Sequence, residues 1–224
     1  MKRLFATLLA LACLTGLTAH ADTWVEGQHY FLINPQLHTS APPGKIEVTE
    51  VFSYACPHCA AFRPIADQIK ASLPPNAVMN YVPASFLPQE DWPMFQRAYV
   101  TAQVLGVADK AHAGIFDAVW KTGELAVVDT QTNRIRQPAP IIEDAAHVYS
   151  RLTGVPFAKF VATSQSFSVD MKMKEDDDFV IQGQVDSTPT IVVNGKYRLS
   201  PASIGGADKV IALVKYLVAK ESGH

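Results

Sequence analysis

The chain has 224 residues, 48% hydrophobic and 18% charged, with a formal net charge of −2. That is enough apolar material for one well-cored domain, or for one domain carrying a large insertion. The absence of a basic surplus excludes the charge pattern of a nucleic-acid binder or of a protein drawn to anionic membrane.

The first residues read as an address. Lys2 and Arg3 precede an apolar stretch from Leu4 to Leu17, and Ala19-His20-Ala21 is a small-x-small site. This pattern predicts a signal peptide over 1–21, cleaved after Ala21. A retained anchor is the weaker reading, because the apolar core falls short of the ~20 residues that a span needs. A lipoprotein anchor at Cys13 is weaker too, since Ala10-Leu11-Ala12 matches the usual Leu-small-small pattern poorly. Cleavage removes Lys2 and Arg3 and no acid, taking the net charge from −2 to −4. It also removes Cys13 and leaves Cys56 and Cys59, a single pair rather than a disulfide framework.

Residues 22–44, with Pro35, Pro42, Pro43 and Gly44, read as an irregular lead-in. Ile46 to Tyr54 is rich in β-branched and aromatic residues and predicts a central strand, with Ile46, Val48 and Phe52 on one face and Val51 on the other. After Cys56 the period changes. Phe62, Ile65, Ile69 and Leu73 recur at helical spacing, which predicts a helix from Pro57 to about Ser72, kinked at Pro64 and ended by Pro74-Pro75. Val78 to Ala84 is a second strand. Helices follow from Asp91 to Leu105, Asp109 to Lys121, Pro140 to Leu152, Pro156 to Ala162 and Val169 to Ile181, with a polar loop over 122–139. Thr190 to Val193, the turn Asn194-Gly195 and Lys196 to Leu199 predict a hairpin. Val210, Ile211, Leu213, Val214 and Leu217 form the stripe of a last helix. The order βαβ, helical insertion, ββα predicts an α/β fold with one central sheet, divided as 22–89, 90–183 and 184–224.

A Cys-x-x-Cys at a strand-to-helix junction is the thioredoxin-like redox arrangement. Cys56 falls at the helix start, where free N–H groups and the dipole favour an anion, and the thiolate is the reactive species. Cys59, one turn on, is expected to be more buried and less reactive. Reading the pair as half of a zinc site would need two further ligands, and no histidine pair has the spacing. A static structural disulfide is the other bland reading. Pro57 suits the first helical turn. A helix terminus alone supplies only about 0.3–1 kcal/mol, so His58 is the expected additional donor or cation. Glu50, six residues before Cys56 in an apolar strand, reads as a buried carboxylate exchanging protons with Cys59, or else as a paired strand end. Glu175-Asp176-Asp177-Asp178 lacks the spaced ligands of a calcium loop and reads as a solvated helix face. His29, His38, His112 and His147 receive no role, and Trp92, Phe116 and Trp120 read as core.

The sequence resembles the DsbA family of periplasmic thiol:disulfide oxidoreductases. The resemblance rests on Glu26-Gly27-Gln28-His29-Tyr30, on the run from Glu50 to Cys59 with its Cys-Pro-His-Cys, and on Thr188-Pro189 before Ile191 to Tyr197. It implies a thioredoxin fold interrupted by a helical domain, with the Cys56-Cys59 disulfide as the redox centre and no separate cofactor or metal. It further implies disulfide donation to newly exported or unfolded cysteine-containing proteins, and reoxidation by a membrane quinone-linked partner of the DsbB type. A cis Thr188-Pro189 bond facing the motif is implied as a substrate-binding wall. The family often carries an acid on the following helix and a lysine on the next strand; here Arg63 and Asn80 stand there. Rival readings are a disulfide isomerase or reductase, or a peptide-binding chaperone with an incidental disulfide. Isomerases of this type usually carry an N-terminal dimerisation domain, for which 22–45 is too short; a monomer is expected.

Overall fold

The computed structural model describes residues 24–129, 131, 132 and 134–223. The expected signal peptide, its cleavage site and Cys13 lie outside the described residues. Five strands make the main sheet: β1 (Phe31–Leu32), β2 (Ile46–Phe52), β3 (Ala77–Pro83), β6 (Thr190–Val193) and β7 (Tyr197–Leu199), in the order β1-β7-β6-β2-β3. β2 pairs parallel to β3 and antiparallel to β6, so it lies at the centre and every residue in it is buried. The β2–β3 crossover is α1 (Pro57–Ser72), which runs unbroken through Pro64.

Between β3 and β6 lie α2 (Trp92–Val104), α3 (Ala108–Trp120), α4 (Ile142–Thr153), α5 (Phe157–Ser164) and α6 (Phe167–Gln182), and the chain closes on α7 (Ala207–Glu221). Gly106 and Gly154 follow α2 and α4 with φ of 70° and 85°, the left-handed conformation that stops a helix. Asn194 and Gly195, with φ of 52° and 63°, close the β6–β7 hairpin as the Asn-Gly signal requires.

Alternation sends the two faces of β2 into different cores. Ile46 and Val48 pack with Phe62 and Ile69 of α1 and with Leu213 and Leu217 of α7. Val51 packs on the other face with Val82, Val192 and Val180 of α6, in a core that continues into the helical part through Phe95, Ile115 and Phe160. Each such side chain, fully buried, contributes roughly 1.5–3 kcal/mol.

Three expectations need correction. Phe52 joins Val51's core instead of that of Ile46 and Val48, because it lies at the strand end against Tyr54, Tyr99 and Phe116. The lead-in is partly ordered as an edge strand, with β1 antiparallel to β7 and the Ile33 and Leu37 N–H groups donating to the Lys196 and Gly195 carbonyls. The polar segment 122–139 holds a small hairpin of β4 (Val128–Asp129) and β5 (Arg134–Ile135). Two-residue strands are too short to show a period, which is why the sequence pattern missed them.

Candidate active site

Cys56 is the N-cap of α1. Its backbone is extended (φ −82°, ψ 116°) and its Sγ accepts the Cys59 N–H at 3.3 Å. Pro57 takes the first helical turn, where a missing N–H costs nothing. The approach from β2 is pinned from both sides. Cys56 N–H donates to the Ser53 carbonyl and Ala55 N–H to Ser53 Oγ, each at 3.2 Å. Trp120 Nε1 on α3 donates to the Tyr54 carbonyl at 2.8 Å, and the Tyr54 hydroxyl pairs with His112 Nδ1 at 3.0 Å. Both cysteines are free thiols; Cys56 is 3% exposed and Cys59 fully buried.

The two thiols are driven apart in acidity. The hydrogen bond from the Cys59 thiol is the largest influence on Cys56 and lowers it. The Thr188 side chain and the backbone N–H groups of Cys59 and His58 act the same way and outweigh burial, bringing Cys56 from 9.0 down to about 6. Cys56 Sγ also lies 3.5 Å from the Thr188 carbonyl. That carbonyl can only accept, so it serves the thiol, whereas the hydroxyl can donate and serves the thiolate. Burial, then the hydrogen bond to Cys56, pushes Cys59 well above its ordinary value.

Glu50 sits mid-strand, with Tyr81 and Ile191 as its neighbours across β3 and β6. Burial, followed by the negative charges of Asp67 and Cys56, raises its carboxyl to about 8. The strand has a second buried acid, Glu47, on the opposite face. Its oxygens accept from Ser40 N–H (2.9 Å), Ser40 Oγ (2.7 Å) and Thr49 Oγ1 (2.9 Å).

Beside the motif lies a groove of about 450 Å³, walled by His58, Phe62, Ile65, Pro189, Pro201 and Val210. The Thr188-Pro189 bond is cis, and Thr188 lines the same groove. His58 reaches Cys56 through its main-chain N–H, while its side chain is exposed at the groove; the expectation that its imidazole is the added donor is corrected to this extent. Arg63 pairs with Asp67 at 3.5 Å and Asp117 at 4.0 Å. Asn80 lies opposite Thr49 rather than Glu50 and donates to Ser40 Oγ at 3.3 Å, on the other face of the sheet. Sequence reasoning missed Asp67, whose one available signal was its i,i+4 spacing from Arg63, and His112, whose role in holding Tyr54 depends on a packing that no spacing shows.

A thiol that caps a helix over a buried partner thiol, at the end of a central strand, is the arrangement of the thioredoxin-fold thiol:disulfide oxidoreductases. The comparisons agree. The thioredoxin family model matches residues 36–212. The thiol:disulfide interchange protein DsbA of Pseudomonas aeruginosa is 32% identical, covering 99% of this chain and 97% of its own length. The DsbA of Bordetella pertussis is 34% identical over 92% and 93%. The crystal structure of the oxidoreductase DsbA from Xylella fastidiosa is 32% identical and covers 89% of this chain and 98% of that one, with a TM-score of 0.75. The chain belongs to the DsbA family. It is a disulfide-donating thiol oxidoreductase with a thioredoxin fold interrupted by a helical insertion.

Proposed function

We propose that Cys56 is the exchanging thiol and Cys59 the partner that closes the disulfide, in a protein that hands this disulfide to newly exported proteins. The observation that carries the reading is the opposed acidity of two thiols one helical turn apart. A client thiolate attacks Cys56 Sγ of the disulfide, and the bond to Cys59 breaks. Cys59 leaves as a thiolate whose proton affinity is high, and Glu50, protonated below about pH 8, supplies the proton. The client's second thiolate then attacks the client sulfur of the mixed disulfide. Cys56 departs as a thiolate, and its low pKa makes it a good leaving group. The client gains a disulfide and the Cys56-Cys59 pair takes up the two electrons, so the chemistry asks for no further cofactor.

Thr188 and Pro189, with the groove and the exposed His58, are assigned to holding an extended client segment beside Cys56; Pro57 starts the helix that positions both thiols. A complex structure of a Proteus DsbA carries a non-covalently bound peptide. Regeneration is assigned to a membrane quinone-linked partner of the DsbB type. Residues 1–21 are assigned to export and the working protein to the periplasm, as a monomer divided into 22–89, 90–183 and 184–224. The lowered Cys56 pKa favours the oxidase over the isomerase or reductase reading, because stabilising the thiolate stabilises the reduced form.

The test is trapping. Cys59→Ser accumulates mixed disulfides through Cys56, Cys56→Ser abolishes exchange, and iodoacetamide at pH 6 alkylates Cys56 first. First labelling of Cys59 reverses the roles and overturns the assignment.

A further inference from the structure

The face of β2 and β3 turned away from α1 carries a cavity of about 290 Å³ that the redox chemistry does not use. It lies under α6. Glu47, Glu175, Asp176 and Asp178 contribute four acids to its lining, against Lys172 and His38 as the basic side chains. Leu37, Val82 and Phe179 supply an apolar wall.

The expectation that the run Glu175 to Asp178 is a solvated helix face fails at Asp176, which is 1% exposed. Its Oδ1 accepts from Lys172 Nζ at 2.6 Å, while its Oδ2 is covered and has no hydrogen-bond partner. A buried carboxylate oxygen left unpaired is costly unless something serves it. Glu47, 2% exposed, adds a second acid whose three acceptor bonds, to Ser40 and Thr49, hold it in place without a cation. Lys172 cannot serve the whole site. It comes from the same helix as Asp176, four residues away, and its side chain is 35% exposed.

We propose that this cavity is a second binding site, one that takes the primary ammonium group of an aliphatic amine. The ammonium sits between Asp176 and Glu47, and its alkyl stem lies along Leu37, Val82 and Phe179. An ammonium has three donors on a flexible apolar chain, which matches the unserved Asp176 Oδ2 and the remaining acceptor capacity of Glu47 beside an apolar wall. Entry requires Lys172 to swing aside, as its flexible stem permits. The same chemistry is offered by a free diamine and by a lysine side chain of another polypeptide.

A titration of the full chain followed by amide NMR separates these cases. The probes are 1,4-diaminobutane, a capped Gly-Lys-Gly peptide and, as a neutral control, 1-butanol. The expected result is saturable shifts at Ser40, Val82 and Phe179 with the amines and none with the alcohol. Affinity should fall about tenfold or more in Asp176→Asn, a loss of at least about 1.4 kcal/mol, because a charge-assisted hydrogen bond is removed. It should rise in Lys172→Met, where the internal competitor is gone. Tighter binding of the peptide identifies a polypeptide lysine as the natural occupant, and tighter binding of the diamine a free amine. Should Asp176→Asn not fold, Lys172→Met and the exposed Glu175→Gln decide by opposite changes in affinity. Equal affinity in all variants, shifts scattered over the surface, or equal shifts with the alcohol overturn the proposal.

Discussion

At the scale of single residues, the site is a set of groups whose charges are moved by burial and hydrogen bonding. Cys56 is lowered by donors at a helix start, Cys59 is raised by burial, and Glu50 is raised to about 8 between them. The sign for Glu50 follows from linkage. The folded state holds its proton up to about pH 8, and the unfolded chain releases it near 4.5. Stability is therefore lost as pH rises through that window. Glu50→Gln should remove the loss, worth about 3 kcal/mol at pH 7 as an upper value. Urea unfolding of the oxidised protein at pH 5 and pH 8 checks this, and equal pH dependence in both proteins would show that Glu50 is not buried as an acid. Thr188→Val should raise the Cys56 pKa, because a donor to the thiolate is gone; thiolate absorbance across pH 4–9 measures it. The position of Cys56, Pro57 and Cys59 at a helix start and of Glu50 in a buried strand was legible because motif, strand and helix start coincide in sequence, whereas the cis Thr188-Pro189 bond was implied only by the family resemblance. The charge around Glu50 was not legible. Arg63 and Asn80 stand where the family often carries an acid and a lysine; after burial, the charges that raise Glu50 are those of Asp67 and Cys56, and Asn80 lies on the opposite side of the sheet. Which residue of a neighbouring element meets a buried group depends on tertiary packing.

At the scale of elements, helices and long strands could be read from period and caps, with ends shifted by a residue or two. Ser166 caps α6, its Oγ accepting the Val169 N–H at 3.4 Å. Ser166→Ala should cost about 1 kcal/mol of stability, measurable as a lower urea midpoint with unchanged slope. α3 is tied to the redox loop through His112, which lies among Phe52, Tyr54, Tyr81 and Phe116. Burial brings its imidazole down to about 4 from 6.5. Between those values the unfolded chain binds the proton and the folded one does not, so stability falls as pH drops from 6.5 toward 4. His112→Asn should flatten this acid limb, as read by thermal unfolding at pH 4.5 and 6.5. A limb unchanged in the variant would assign the loss to other groups. α6 was read correctly as a helix, but its acidic run was not: Asp176 is buried because α6 lies over the sheet, a packing that a four-residue charge run does not reveal.

At the scale of the whole molecule, one sheet serves two environments. One face, with α1 and α7, borders the groove, while Cys56 and Cys59 at the sheet end pack with the core of the helical insertion. The other, under α6, joins the core of the helical insertion and contains the acidic cavity. The insertion also reaches back to the redox loop through Trp120 and His112, so it contributes to the position of Cys56. This construction stabilises the Cys56 thiolate, and with it the reduced form, which makes the disulfide an oxidant. Each pKa unit by which the thiolate is stabilised moves a two-electron couple by roughly 30 mV. Equilibration of the pair with glutathione at pH 7 measures the result directly. The expected potential is more positive than about −180 mV, on the oxidising side of protein disulfide isomerase. A value near about −270 mV, typical of a thiol reductase, would contradict it.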